Sequence, residues 1–280
     1  MLPWRSDLDG VPRPNGLALP PAHMPLLRAG RPLKRWRYVG AFGEDVMLCV
    51  GFARVGGLPQ AWWAVWARRA GWLRERTLFV RPGRAVRLGA GRVTVRDGDC
   101  AIDLVVDEAP GVESVCAHGA GYVWTRKQAG VPVRGSVRIG AETIDVDARG
   151  VVDDTAGYHE RHTAWKWSAG VGETADGQPV GWNLVTGVND PPAGSERSLW
   201  LDGESHELGP VDFDDALRHV RFAEGGALRF RGEAVRERHD ELVVARSDYL
   251  QPFGTCAGTL PGGVELTRGW GVMEDHRARW

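Results

Sequence analysis

The stretch RVTVRDGDCAIDLVV, residues 92–106, decides the fold class. Apolar and polar residues alternate on both sides of Asp97-Gly98, which is the period of a β-strand with one buried face. An Asp-Gly pair between two such runs is among the strongest short-range signals for a β-hairpin, because both residues tolerate the backbone angles of a tight turn. The stretch therefore predicts two antiparallel strands joined by a two-residue turn.

The same pattern recurs along the chain and indicates an all-β fold. The stretch QAWWAVWARRAGWLRERT, residues 60–77, has helical length, but its tryptophans also fit two strands around a turn at RRAG, and we predict strands there. About sixteen strands are too many for one sandwich or one open sheet, and closing each half into a barrel removes the exposed edges. We therefore predict two antiparallel β-barrel halves. Further hairpins are predicted at Asp202-Gly203 in RSLWLDGESHEL (197–208), at Gly225-Gly226 in HVRFAEGGALRF (219–230) and at Gly140 in VRIGAETIDVD (137–147).

Residues 1–32 differ in composition from the rest of the chain. They contain seven of the 17 prolines, so they can sustain neither a helix nor a central strand. They also carry apolar residues such as Trp4 and Met24, which predicts an extended strap that packs over the body. The remainder divides almost evenly near the sequence RKQAGVPVRG, which gives predicted β-barrel halves of 33–128 and 129–280.

Composition argues against several classes of function. The formal net charge is −1 and no block of like charges occurs, so the electrostatic footprint of a nucleic-acid-binding protein is missing. We see no secretory leader in MLPWRSDLDG and no apolar run near the ~18 residues of a membrane span, so we expect a cytoplasmic protein without an integral membrane segment. The four cysteines lack a C-x-x-C pair, which predicts reduced, buried thiols. The 13 tryptophans fit either an aromatic-lined cavity or a core.

The stretch GYHERHTAWKWSAGVG, residues 157–172, is the first candidate site. Its His159 and His162 are one residue closer than in the metal-binding H-E-x-x-H pattern, and on a strand this odd separation sends them to opposite faces. No metal site is therefore predicted. Alternation instead places His159, Trp165 and Trp167 on one face, which fits either the wall of a ligand cavity or a packed core.

Three further segments contribute polar candidates. Asn183 lies within the apolar run VGWNLVTG, where a buried amide must be hydrogen-bonded, either to a ligand or to a neighbouring strand. Tyr249 and Gln251 share one face of SDYLQPFG. At the C terminus, alternation puts Glu274 and His276 on one face. This pair fits either a surface salt bridge or a general acid–base pair with perturbed pKa values in a dry pocket.

Five motifs together resemble the uncharacterised bacterial family called domain of unknown function 2804, and the resemblance extends from LPWRSDLDG to Trp280. The motifs are GYVWTRKQAGVPVRG, GYHERHTAWKWSAGVG, VGWNLVTGVND, SDYLQPFGTCAG and GWGVMEDHRARW. More distantly, the family is similar to double lipocalin-like proteins such as carotenoid hydratases, tocopherol cyclases and hydroxylated-lipid or polyketide cyclases. That similarity implies two lipocalin-like barrels and a cofactor-free acid–base reaction on an apolar substrate. It strengthens His159, Glu274 and His276 as catalytic candidates.

These observations predict a protein that holds a hydrophobic small molecule, of lipid or isoprenoid type, in a tryptophan-lined barrel cavity. The alternative is a cofactor-independent hydratase, isomerase or cyclase in which Glu274 or His276 transfers a proton. Motifs for nucleotide binding, flavin binding and a serine nucleophile are missing, so those classes lose support. A structural or interaction module is the third hypothesis. The candidate ligand contacts are Tyr122, Trp124, Trp165, Trp167, Asn183, Tyr249 and Gln251.

Overall fold

The computed structural model describes residues 2–8, 10–241 and 246–280. Within these ranges the chain forms β-strands joined by turns, and its helices are two short 3₁₀ turns, Pro82–Arg84 and Pro261–Gly263. Neither turn has the length or apolar character needed to cross a bilayer. All four cysteines are free and buried, as predicted. The all-β prediction is confirmed.

Two large antiparallel sheets build the molecule. The strands of the strap and the first sheet are β1 (Trp4–Arg5), β2 (Leu27–Arg28), β3 (Arg31–Pro32), β4 (Lys34–Phe42), β5 (Val46–Val55), β6 (Leu58–Ala67), β7 (Trp72–Leu78), β8 (Val86–Gly89), β9 (Arg92–Asp97), β10 (Cys100–Val106), β11 (Val112–His118), β12 (Gly121–Ile139) and β13 (Glu142–Gly157). The strands of the second sheet are β14 (His162–Thr174), β15 (Pro179–Thr186), β16 (Ser198–Leu201), β17 (Glu204–Glu207), β18 (Val211–Phe213), β19 (His219–Phe222), β20 (Ala227–Glu241), β21 (Arg246–Leu260) and β22 (Val264–Arg279).

Each sheet curls into a barrel-like half. The first sheet has the strand order β7-β6-β5-β4-β13-β12-β10-β9-β8, with β11 beside β12 and β1 beside β11. The second has the order β17-β16-β15-β14-β22-β21-β20-β19-β18, while β2 and β3 pair with each other. Because β8 packs against β5 and β18 packs against β15, each sheet encloses an apolar core of its own. The predicted architecture of two β-barrel halves is confirmed.

The predicted hairpins are present. They are β9–β10, β12–β13, β16–β17 and β19–β20, and the stretch at residues 60–77 lies within a further hairpin of β6 and β7. At the β16–β17 turn, Asp202 and Gly203 have φ angles of 50° and 86°. Aspartate and glycine are favoured there because they tolerate this left-handed region.

The sequence placed a boundary between residues 128 and 129, but no strand ends there. Strand β12 runs through this point and pairs with β10, β11 and β13 of the first sheet. Gly130 lies at a β-bulge between Ala129 and Val131, next to Pro132. The bulge bends the strand without ending it. The chain passes from the first sheet to the second at residues 158–161.

A third apolar cluster lies between the two halves. Alternation along β4 sends Val39 into the first core, whereas Tyr38 joins this third cluster together with Trp167 of the second sheet. The halves are in close contact at Gly181, where an added Cβ would lie 2.7 Å from the Cβ of Ala129. This interface between the halves contains the polar residues described below.

The proline-rich strap packs over the first sheet. Trp4 and Met24 are buried in a fourth apolar cluster, and β1 pairs with β11. The buried guanidinium of Arg5 donates hydrogen bonds to the backbone carbonyls of Ser195 and Arg197, both 2.9 Å away in the second half. The strap therefore also connects the two halves.

Candidate active site

The candidate site is built around Glu274, on the face of β22 that is turned towards the first sheet. The indole Nε1 of Trp165 donates to Oε1 of Glu274 at 2.8 Å, and the amide Nε2 of Gln251 donates to Oε2 at 2.9 Å. Only 9% of the Glu274 side chain is exposed, and no lysine or arginine in the described ranges forms an ion pair with it. Neutral donors alone therefore hold this buried carboxyl group.

Burial sets the proton affinity of Glu274. Removal of the carboxylate from water raises the pKa of Glu274 to about 7, although the hydrogen bonds from Trp165 and Gln251 act in the opposite direction. A carboxyl group with this pKa is present in both protonation states near neutral pH. Such a group can both donate and accept a proton, which is the requirement for general acid–base catalysis.

His276 lies beside Glu274 as a neutral ring. Its centroid is 4.2 Å from that of Trp165, and its Nε2 is 2.8 Å from the Ser247 hydroxyl. Burial lowers the pKa of His276 to about 3, so the 3.9 Å approach of Nδ1 to Oε1 of Glu274 is not an ion pair at neutral pH. The surface salt bridge considered from the sequence is therefore wrong, because both groups are largely buried.

Tyr249 connects this pair with a solvent-accessible cavity. Its ring centroid is 5.2 Å from that of His276, and its hydroxyl is 3.4 Å from Nη1 of Arg236. Burial, followed by the nearby charge of Glu274, raises the pKa of Tyr249 well above its usual value. A cavity of about 290 Å³, lined by Tyr249, Arg236 and other residues of β7 and β20, adjoins the ring. The cavity reaches Tyr249, and Glu274 is not among its lining residues.

The first sheet supplies the opposite wall of the site. Trp36 stacks on Trp165 with an interplanar angle of 6° and a centroid separation of 6.5 Å. Cys49 Sγ lies 3.8 Å from the side-chain amide oxygen Oε1 of Gln251. The Tyr38 hydroxyl is buried with no hydrogen-bond partner among the described residues. The site is therefore formed by both halves, and its wall includes an unsatisfied hydroxyl group.

A buried charge cluster lies next to this wall. Lys127 Nζ is 2.7 Å from Asp153 Oδ1 and 3.2 Å from Glu196 Oε1, and all three side chains are almost fully buried. Trp36 donates its indole N–H to Asp153 at 3.2 Å. The negative charge of Asp153 also contributes to the raised pKa of Glu274, so the charge cluster and the acid–base group are electrostatically linked.

Trp167 and Asn183 support the site and do not line the interior of a barrel. Trp167 donates its indole N–H to Oδ1 of Asn183 at 2.8 Å, and Asn183 Nδ2 donates to the backbone carbonyl of Glu196 at 2.9 Å. The two barrel interiors are filled with other apolar side chains. The predicted cavity inside a barrel is thus wrong for Trp165 and Trp167, because the face they share is turned towards the interface.

His159 lies apart from Glu274. The predicted strand across residues 157–168 is interrupted, since residues 158–161 form the connection before β14. The His159 ring lies 5.3 Å from Trp36 and 5.5 Å from His118, measured between centroids. Burial, followed by the nearby positive charge of Lys34, lowers the pKa of His159 well below its usual value. His159 therefore contacts the outer side of the aromatic stack, while His162 is exposed.

Tyr122 and Trp124 lie on the first sheet, away from this site. The Tyr122 hydroxyl donates to the carbonyl of Ala18 at 2.7 Å and so anchors the strap. Trp124 donates to Glu113 at 2.9 Å and lines a groove at one end of the first barrel. The structure thus brings together Glu274, His276, Trp165, Tyr249 and Gln251, supports them with Trp167 and Asn183, and separates Tyr122 and Trp124 from them.

Sequence reasoning missed the contributions of the first sheet. Asp153 had a usable signal, because it directly follows the apolar residues Val151 and Val152 in a strand, where a buried carboxylate needs a partner. Lys127 is one of only three lysines in the chain. Trp36 and Tyr38 carried no such signal, since their importance depends on which residues face them across the interface.

Fold and site together define an all-β protein of two lipocalin-like halves with a buried carboxyl group between them. Residues 83–280 match the family model described as domain of unknown function DUF2804, and the chain belongs to this family. The family resemblance seen in the sequence is confirmed.

Two solved structures show the same fold. A Nitrosomonas europaea protein provisionally assigned as AttH aligns with a TM-score of 0.56 and 15% identity over 95% of this chain and 98% of its own. Kievitone hydratase from Nectria haematococca aligns with a TM-score of 0.52 and 9% identity over 86% of this chain and 88% of its own. No curated protein matches the sequence. At these identities the likeness concerns the fold alone.

Proposed function

We propose that the protein is an enzyme that uses Glu274 as a general acid–base group on an apolar small molecule bound between the two halves. The reaction class is hydration, isomerisation or cyclisation. The observation that supports this proposal is the buried Glu274 carboxyl group, held by Trp165 and Gln251, with a pKa of about 7. Strongly perturbed pKa values in a recess mark candidate catalytic groups.

The surroundings of Glu274 favour an unsaturated, apolar substrate. The stacked rings of Trp36 and Trp165 and the ring of Tyr249 present aromatic surfaces close to the carboxyl group. Aromatic faces attract positive charge, so they would stabilise a cation that forms on the substrate when a carbon atom is protonated. Kievitone hydratase, which has the same fold, is a hydratase by name.

The chemistry follows from the two protonation states of Glu274. In the protonated state, Glu274 donates its proton to an alkene carbon, and the adjacent carbon becomes cationic. Water then adds through its oxygen and loses a proton to the carboxylate, or an internal π bond attacks and closes a ring. The new cation formed by ring closure loses a proton from carbon to the carboxylate and becomes an alkene. The carboxylate left behind is stabilised by the N–H groups of Trp165 and Gln251 until it recovers a proton. In isomerisation, the carboxylate removes a proton from another carbon of the same substrate.

His276 and Tyr249 have distinct roles in this proposal. His276 is neutral and accepts or donates one hydrogen bond with Ser247, so it orients the aromatic wall and carries no charge. Tyr249 lies between Glu274 and the cavity of about 290 Å³ and passes protons between the carboxyl group and water. Trp167 and Asn183 position the site.

The test is an untargeted assay in deuterium oxide. Purified protein is incubated with a small-molecule extract of its host, and mass spectrometry records compounds that gain or lose water, take up deuterium at carbon, or change retention at constant mass. The wild type should transform at least one compound, whereas Glu274→Gln should not. Glu265→Gln is the matched control, because Glu265 lies exposed on the same strand. Full activity of Glu274→Gln would overturn the proposal.

A further inference from the structure

A separate groove lies at one end of the first barrel. Its volume is about 910 Å³, within the range of small-molecule sites. Strands β4, β5, β8, β11, β12 and β13 line it, together with Pro20 and Pro21 of the strap. Arg35 and Arg37 of β4 belong to it, and they share a strand face with Val39, which lies in the first core. The groove is therefore the open mouth of the first barrel, and Trp36 on the other face of β4 also reaches its lining.

The groove has an apolar wall. Phe52 and Leu88 pack against the core of the first barrel and remain partly exposed, and Trp124 forms a further part of the lining. Trp124 is fixed by its hydrogen bond to Glu113. These three side chains give the groove an apolar surface against which a hydrocarbon chain could lie.

Positive charge dominates the groove. Its lining includes five arginines, which exceed the lining carboxylates of Glu113 and Asp154 by three. Arg37 and Arg126 are occupied, since both form ion pairs with Asp154 and Glu108. The remaining arginines are Arg35, Arg54 and Arg87.

These three arginines are available for a ligand. Arg35, Arg54 and Arg87 are exposed and form no ion pair within the described ranges of the chain. The guanidinium of Arg54 lies 5.5 Å from the Phe52 ring centroid, which places a positive charge directly beside the apolar wall. A planar guanidinium recognises carboxylate or phosphate oxygens through paired hydrogen bonds.

We propose that this groove binds an anionic amphiphile with a single apolar chain. Its carboxylate or phosphate head lies against Arg35, Arg54 and Arg87, and its chain lies along Phe52, Leu88 and Trp124. The three arginines are distinct from the Glu274 site, because no residue of the groove hydrogen-bonds to that carboxyl group, and Trp36 is the residue that contributes to both sites.

Calorimetric titration of the full chain with dodecanoate, dodecyl phosphate and dodecanol tests this proposal. The two anions should bind, and dodecanol should bind at least about tenfold more weakly, because it has the same chain without the charge. Arg35→Gln, Arg54→Gln and Arg87→Gln combined should remove this preference. The matched control combines Arg218→Gln, Arg229→Gln and Arg279→Gln, which removes the same number of charges from exposed positions of the second half.

Several outcomes would overturn the proposal. Equal affinity for dodecanol and dodecanoate would exclude recognition of the head group, and unchanged affinity in the triple variant would exclude these arginines. Binding to anionic vesicles without binding to monomeric dodecanoate would indicate a membrane surface. Loss of dodecanoate binding in Glu274→Gln would place the ligand at the interface. The first three results concern only the groove, and turnover by Glu274 is measured in a different assay, so the two proposals fail separately.

Discussion

The indole nitrogen of Trp165 lies 2.8 Å from Oε1 of Glu274, although the residue paired in register with Glu274 is Trp167. The hydrogen bond therefore runs diagonally between β14 and β22. The same indole ring stacks on Trp36 of the first sheet. The environment of the proposed proton-transfer group thus depends on contact between the two halves.

Loss of the indole donor should raise the proton affinity of Glu274. The Trp165 N–H stabilises the carboxylate and lowers the pKa of Glu274, so Trp165→Phe should raise this pKa further. A hydrogen bond to a charged group contributes about 1.5–3 kcal/mol, which corresponds to an increase in pKa of about 1 to 2. A pH titration of the Glu274 carboxyl group by NMR measures the shift. Trp270→Phe is the control, since Trp270 lies on the same strand as Glu274. An unchanged pKa in Trp165→Phe would show that the bond does not matter.

Glu274 should make the folded state less stable as the pH rises. The folded state binds the proton more tightly than the unfolded state, because the pKa of Glu274 is raised from 4.5 to about 7. Its contribution to the free energy of unfolding is therefore lost as the pH rises through this window. His276, with a pKa lowered to about 3, acts in the opposite direction below pH 6.5, and this term is the same in wild type and variant.

The comparison of wild type with Glu274→Gln isolates the glutamate. The variant should gain stability relative to wild type between about pH 4.5 and about pH 8, by an amount on the order of 3 kcal/mol. Urea denaturation across this range measures the difference. A difference that is independent of pH, or that falls as the pH rises, would contradict the assigned protonation behaviour.

The buried charge cluster should depend on its single lysine. Lys127→Met leaves Asp153 and Glu196 buried without their cation, and the free energy of unfolding should fall by about 3–5 kcal/mol. Lys166→Met is the matched control. Its partner Asp215 is fully exposed, so water screens this pair and little change is expected. Similar losses in both variants, measured by urea denaturation, would argue against a structural role for the cluster.

Local features of the fold could be predicted from the sequence. The Asp202-Gly203 turn and the shared strand face of Glu274 and His276 depend on residues a few positions apart, and the structure confirms both. Alternation groups side chains on one face of a strand, but it does not say which face is turned towards the barrel interior. For this reason the sequence correctly predicts that Trp165 and Trp167 share a strand face, but it does not predict that this face is turned towards the interface between the halves.

Long-range relationships could not be predicted. Trp36 and Trp165 stack across the interface although more than a hundred residues separate them in sequence, and no local pattern encodes that contact. The sequence also does not predict the interruption at residues 158–161, because these four residues include no glycine or proline that would mark a break. As a result, His159 was placed on the same strand face as Trp165.

The pKa of Glu274 tests the central claim most directly. Glutamate side chains labelled with ¹³C at Cδ can be titrated by NMR in the wild type and in Glu274→Gln, and subtraction identifies the resonance of Glu274 among other buried carboxyl groups such as Glu196. We predict that this resonance titrates near pH 7. A midpoint near the ordinary glutamate value of about 4.3 would contradict the account.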